Sequence, residues 1–187
     1  MHDLIIRGGS IVDGTGSQAY SGDIAVDSDQ IVQVGEVDGA ARQEIDAQGL
    51  LVTPGWVDIH THYDGQAMWD PYLTPSSWHG CTSVVMGNCG VGFAPVTPGN
   101  EDWLIELMES VEDIPGSALS EGLDWRWQSF PEYLDALETR DRAIDIGTQV
   151  PHCAVRAYVM GERCLSETIA NPEDIESMSK IVEEGLN

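Results

Sequence analysis

Residues 56–62 read Trp-Val-Asp-Ile-His-Thr-His, a strand pattern in which apolar and polar or ionisable positions alternate. Side chains alternate across a strand, so Asp58, His60 and His62 fall on one face and Val57, Ile59 and Thr61 on the other. The second face is expected to pack against helices. The first would bury a carboxylate and two imidazoles, which is costly unless they are satisfied. Two readings meet that requirement. The histidines are hydrogen-bonded structural groups near a strand end, or they are neutral imidazoles at i and i+2 converging on one metal ion.

Upstream, residues 4–12, 24–26, 31–34, 44–46 and 50–52 are short strand-like runs. A turn at Asp13-Gly14-Thr15-Gly16 and a hairpin signal at Asp27-Ser28-Asp29-Gln30 separate some of them. Residues 1–53 are therefore expected to form a small unit of antiparallel strands. After Thr53-Pro54-Gly55 the rhythm changes. Strands predicted at 56–62, 82–87 and 143–150 alternate with helices predicted at 101–110, 129–139 and 172–185. Ser129 with Pro131, and Asn171 with Pro172, are helix-start signals. Ile175, Met178, Ile181 and Val182 give the last helix its apolar stripe. Such alternation predicts βα units on a parallel sheet. No internal repeat or low-complexity segment interrupts it.

Charge narrows the partners. The chain has 32 acidic and 8 basic residues, net −24, and Lys180 is its one lysine. A surface so acidic repels nucleic acid and anionic membranes. It is either an ordinary solvated acidic face or an adaptation to a salty cytoplasm. No apolar run is long enough for a membrane span, and Met1-His2-Asp3-Leu4 lacks the basic start and apolar stretch of a signal peptide. A soluble, cytoplasmic protein is expected, with its four cysteines as thiols or metal ligands rather than disulfides.

The second chemical signal is Met86-Gly87-Asn88-Cys89-Gly90-Val91-Gly92, at the exit of the next predicted strand. Its glycines leave the backbone bare so that another group can approach closely. A Cys89 thiolate there is a soft ligand suited to zinc. Taken alone the residue reads as a small thiol in a tight turn; beside the histidine pair we prefer the ligand reading. His152 follows a predicted strand and either lines the site or is structural. His79 reads as a helix-end residue, and Cys81, Cys153 and Cys164 as core thiols. Glu112 and Asp113 offer an acid/base pair, but Ile114-Pro115-Gly116 beside them indicates a loop. The six tryptophans read as core and loop anchors.

Residues 58–66 (DIHTHYDGQ) and 75–95 (PSSWHGCTSVVMGNCGVGFAP) resemble the N-acyl-D-amino-acid deacylase, or D-aminoacylase, branch of the amidohydrolase superfamily. Residues 111–116 (VEDIPG), 129–137 (SFPEYLDAL) and 156–161 (RAYVMG) extend the resemblance over nearly the whole chain. It implies a (β/α)₈ TIM-like barrel, of which residues 54–187 carry the first strands, beside a β-sandwich of which residues 1–53 are a part. It also implies a zinc-dependent hydrolase of carbon–nitrogen bonds other than peptide bonds, converting small N-acyl-D-amino acids to a carboxylate and a free D-amino acid. Cys89 matches a zinc ligand that replaces the carboxylated lysine of hydantoinases, and His60 and His62 match a second, weaker metal position. Asp58 would support the site from behind. Two later histidines and an aspartate acting as general base are expected beyond Asn187, so no catalytic residue is assigned within the chain. The family has glycine before the histidine of the third strand, where this chain has Pro151-His152. The alternatives are a hydantoinase- or dihydropyrimidinase-like hydrolase of cyclic amides, or a truncated, non-catalytic fragment. The chain alone is expected to be inactive, and to form homo-oligomers or associate through an open barrel edge.

Overall fold

The computed structural model of the protein describes residues 1–112, 114–166 and 169–186. They form two compact units, Met1–Gly55 and Trp56–Asn187.

The first unit is a five-stranded sheet of β1 (His2–Ile11), β2 (Tyr20–Asp27), β3 (Gln30–Gly35), β4 (Ala41–Asp46) and β5 (Leu51–Val52). Its order is β3-β2-β1-β4, with β5 also paired to β1. The hairpin signal is borne out: Asp27 pairs with Gln30, and Ser28 takes the left-handed turn position at φ 56°. The expectation of an antiparallel sheet is corrected. β1 and β2 are antiparallel, but β4 and β5 run parallel to β1. The chain leaves β3 at one edge and returns beside β1 at the other by a crossover, which aligns the strands instead of reversing them. Arg7 braces the sheet: Nη1 donates to Asp23 Oδ2 at 3.0 Å and to the Val37 carbonyl at 2.7 Å, and Nη2 to Glu44 Oε1 at 3.1 Å. Asp23 Oδ1 also accepts the Gly8 N–H at 2.8 Å.

The second unit holds a parallel sheet in the order β6-β7-β8, with β6 at Trp56–Asp58, β7 at Cys81–Met86 and β8 at Asp145–Thr148. Around it lie α1 (Glu101–Glu112), α2 (Gly116–Gly122), α3 (Phe130–Glu138), α4 (His152–Met160), α5 (Arg163–Ser166) and α6 (Pro172–Gly185). Val84 and Met86 of the central strand enter a core with Phe93, Met108, Leu119 and Tyr133. The helix-start signals are realised as capping boxes. Ser129 Oγ accepts the Glu132 N–H while Glu132 Oε2 accepts the Ser129 N–H, and Asn171 and Asp174 exchange the same pair of bonds. No helix among the described residues is long and apolar enough to cross a membrane.

Several expectations change. β6 ends at Asp58, not His62, because Asp58 Oδ1 accepts the His60 N–H at 3.1 Å and bends the chain locally. Val57 and Ile59 are 60% and 71% exposed rather than packed under helices. Helices α2, α4 and α5 were not expected. α4 starts directly after Pro151, whose extended backbone (φ −79°, ψ 124°) serves as its N-cap. The apolar stripe of α6 is only partly covered, with Ile175 and Val182 exposed. Trp127 is buried, and Trp103 and Trp125 pack on the core, but Trp56, Trp69 and Trp78 are exposed. All four cysteines are free; Cys81 is half-buried and packs against the core as expected, whereas Cys153 and Cys164 are half-buried outside it.

Candidate metal centre

His60 and His62 leave the end of β6 on the same side, with ring centroids 5.5 Å apart and planes tilted by 53°. The strand's alternation survives past its last residue because Thr61 is fastened the other way. Its N–H and its Oγ1 both donate to the Val85 carbonyl, at 2.9 and 2.8 Å. Burial, and then the neighbouring His60, hold the His62 imidazole below its ordinary pKa. That favours the neutral ring, the form that ligates metals.

Cys89 reaches the same place from β7. The strand ends in a 3₁₀ turn, Asn88–Gly90, entered through Gly87 at φ 77°. Cys89 itself is left-handed, at φ 55° and ψ 10°, a conformation that non-glycine residues adopt at a cost and that clusters at functional sites. A Cβ at position 87 would lie 2.3 Å from the Gln149 carbonyl oxygen, so glycine is required there. The close approach that the glycines allow is thus identified: the chain between β8 and α4 packs onto them.

The outcome is a convergence of one sulfur and two imidazoles. Cys89 Sγ lies 3.5 Å from His60 Nε2, and one ligand atom from each of His60, His62 and Cys89 falls within 4.8 Å of the others. His60 and Cys89 are exposed and His62 is half-buried. Among the described residues, no other such cluster of histidine, cysteine and carboxylate groups occurs.

Two buried polar residues behind the cluster were missed in the sequence. Asn88 Nδ2 donates to the carbonyls of Val85 (2.8 Å) and Thr61 (3.2 Å), while its Oδ1 accepts Gln149 Nε2 at 3.0 Å. Asp64 is 1% exposed; its Oδ2 accepts the Gly87 N–H at 3.3 Å and its carbonyl accepts the Tyr133 hydroxyl at 2.9 Å. Burial pushes the Asp64 carboxyl up to about 7, against the opposing pull of the Gly87 N–H. Both lie inside the two motif-bearing segments, next to a glycine or a candidate ligand, and that placement was the available signal.

The other candidates stand apart. Asp58 holds the His60 backbone and is not in the cluster. His152 is the exposed first residue of α4, beside Gly90 and outside the cluster. His79 ends the turn Ser76–His79, ahead of left-handed Gly80. Glu112 is the last residue of α1, and Asp113 lies outside the described residues.

A thiol and two imidazoles at the C-terminal ends of neighbouring parallel strands occupy the face on which α/β barrels carry their chemistry. Residues 43–187 match the Amidohydrolase family, and the chain belongs to it. Within that family it is 33% identical over 185 residues to a D-aminoacylase from Alcaligenes xylosoxydans xylosoxydans, covering 98% of this chain and 35% of the relative. A crystal structure of D-aminoacylase superposes with a TM-score of 0.79 at 31% identity, over 100% of this chain and 36% of that one. An N-acyl-D-glutamate deacylase from Bordetella bronchiseptica, complexed with zinc and a phosphonate mimic of the tetrahedral intermediate, gives 0.78 at 29% identity, over 99% and 36%. The chain spans about a third of the length of these relatives.

Proposed function

We propose that this chain is the metal-binding N-terminal part of a zinc-dependent hydrolase of N-acyl-D-amino acids, which cleaves the linear amide to a carboxylate and a free D-amino acid. The observation that carries the reading is the convergence of His60, His62 and Cys89 within 4.8 Å. The donor set fits zinc, which takes thiolate and imidazole together in tetrahedral sites. Bound there, zinc would supply a Lewis acid for the amide carbonyl and the attacking water. The chain's own residues orient the ligands: Thr61 turns the two imidazoles to one side, Gly87 lets Cys89 swing toward them, and Asp58 fixes the His60 backbone. His152 lines the approach beside Gly90.

In the same reading, residues 1–53 belong to a partial β-sandwich and residues 54–187 to the first strands of a (β/α)₈ barrel. The parallel order β6-β7-β8 supports the second assignment. Free thiols support a reducing, cytoplasmic setting. Cys89 favours a linear over a cyclic amide as substrate, because the hydantoinases use a lysine in its place.

The test is elemental analysis of the purified protein and its Cys89→Ala variant, with D-amino acid release from N-acetyl-D-amino acids followed in the protein containing this segment. Cys89→Ala is expected to lose tightly held zinc, by at least the ~10–100-fold in affinity that loss of an outer partner costs. Unchanged zinc in that variant would overturn the assignment.

A further inference from the structure

We propose that Asn88 is a positioning residue of this centre: its carboxamide ties the ends of β6, β7 and β8 together and so aims Cys89 at His60 and His62. The inference rests on the metal reading above and adds to it a residue that touches no metal. Asn88 directly precedes Cys89 and is 7% exposed. One amide group serves three segments. Nδ2 donates to the Val85 carbonyl on β7 and to the carbonyl of Thr61, the residue between the two histidines. Oδ1 accepts Gln149 Nε2, and the Gln149 backbone N–H in turn donates to the Met86 carbonyl at 2.9 Å.

The amide orientation follows from its partners, because two carbonyl oxygens face one end and a side-chain donor faces the other. An aspartate would set a carboxylate against both carbonyls, and an alanine would leave both without this donor. The ligands it serves, His60 and Cys89, are 29 positions apart in sequence and both are exposed. Thr61 also ties the histidine segment to the Val85 carbonyl, and Asn88 adds to that tie the link to Gln149. A left-handed cysteine persists only where its surroundings over-determine it. The three Asn88 bonds, with the Gly87 N–H held by Asp64, provide that restraint.

The experiment is a cobalt(II) titration of the full chain, reading the sulfur-to-cobalt charge-transfer band beside the visible ligand-field bands. Wild type is expected to show both. Asn88→Ala is expected to bind cobalt about 10–100-fold more weakly, the loss typical of residues that orient ligands. Its charge-transfer band at saturation should fall relative to the ligand-field bands while far-ultraviolet circular dichroism stays unchanged. Gln149→Ala should give a smaller loss of the same kind. The double variant should be no worse than Asn88→Ala, because both changes act through one network. If Asn88→Ala does not fold, Gln149→Ala carries the test: a weakened band in a folded protein supports the inference, and an unaltered band overturns it. A folded Asn88→Ala with wild-type band and affinity overturns it while leaving the metal reading intact. A wild type with no charge-transfer band overturns both.

Discussion

Cys89 Sγ lies 3.5 Å from His60 Nε2, although 29 positions of sequence separate them. That approach depends on two strands running parallel in adjacent positions and on a turn that reverses Cys89 back across the end of β6. It also depends on Gly87. A Cβ there would meet the Gln149 carbonyl at 2.3 Å, on a backbone at φ 77°.

Gly87→Ala is therefore expected to destabilise the second unit by about 3 kcal/mol or more, combining left-handed strain with a backbone collision. Urea denaturation read by tryptophan fluorescence checks this, as a lowered midpoint at similar slope. Gly14→Ala provides the contrast. It carries comparable left-handed strain at φ 80° but meets nothing within 4 Å, so it should cost distinctly less.

Asp23 contributes to the acid limb of the first unit, together with Asp13, Asp27 and Glu44, whose carboxyls are also held low. The Gly8 N–H, and after it the Arg7 guanidinium, hold its carboxyl below the ordinary carboxylate value. The folded state therefore binds its proton less readily than the unfolded state. The resulting stability is present above the unfolded pKa of 3.8 and is lost as pH falls through the lower folded value. Since the group is partly exposed, the contribution is on the order of 1 kcal/mol. Asp23→Asn should lower stability at pH 7 and flatten its dependence below pH 4, measured by denaturation across that range. An unchanged pH profile would remove Asp23 from the account.

With a net charge of −24, carboxylates repel one another across the surface. Salt screens that repulsion, with a Debye length falling from about 8 Å at physiological strength to about 3 Å at 1 M. The melting temperature should rise as sodium or potassium chloride is taken to molar levels. A flat or falling trend would return the acidity to ordinary surface solvation.

Residues 1–187 purified with added zinc should release no measurable D-amino acid from N-acetyl-D-amino acids. Among the described residues, no carboxylate joins the cluster of His60, His62 and Cys89. Asp58 bonds the His60 backbone, and Asp64 is buried against Gly87. A positioned base is typically worth 10²–10⁴-fold in such proton transfers. Turnover that Cys89→Ala abolishes would show that a base lies within these residues after all.

Local chemistry carried much of this protein into its sequence. The alternation in residues 56–62 placed two imidazoles on one side, and Ser129-Phe130-Pro131 and Asn171-Pro172 marked helix starts because capping is decided within four residues. The hairpin at Ser28 was legible for the same reason. What the sequence left open depends on contacts between distant segments. β4 and β5 run parallel to β1 because of where the chain returns, which no local propensity encodes. β6 stops at Asp58 because a side chain bonds a backbone two residues on. The glycines around Cys89 were visible as bare backbone, but that Gln149 approaches them, that Asn88 joins three strand ends, and that Asp64 is buried beneath Gly87 were decided only when β6, β7 and β8 came together. Residue type and spacing determined which groups could ligate; the tertiary structure decided which of them meet, because hydrogen bonds across strand ends fix directions that sequence spacing cannot.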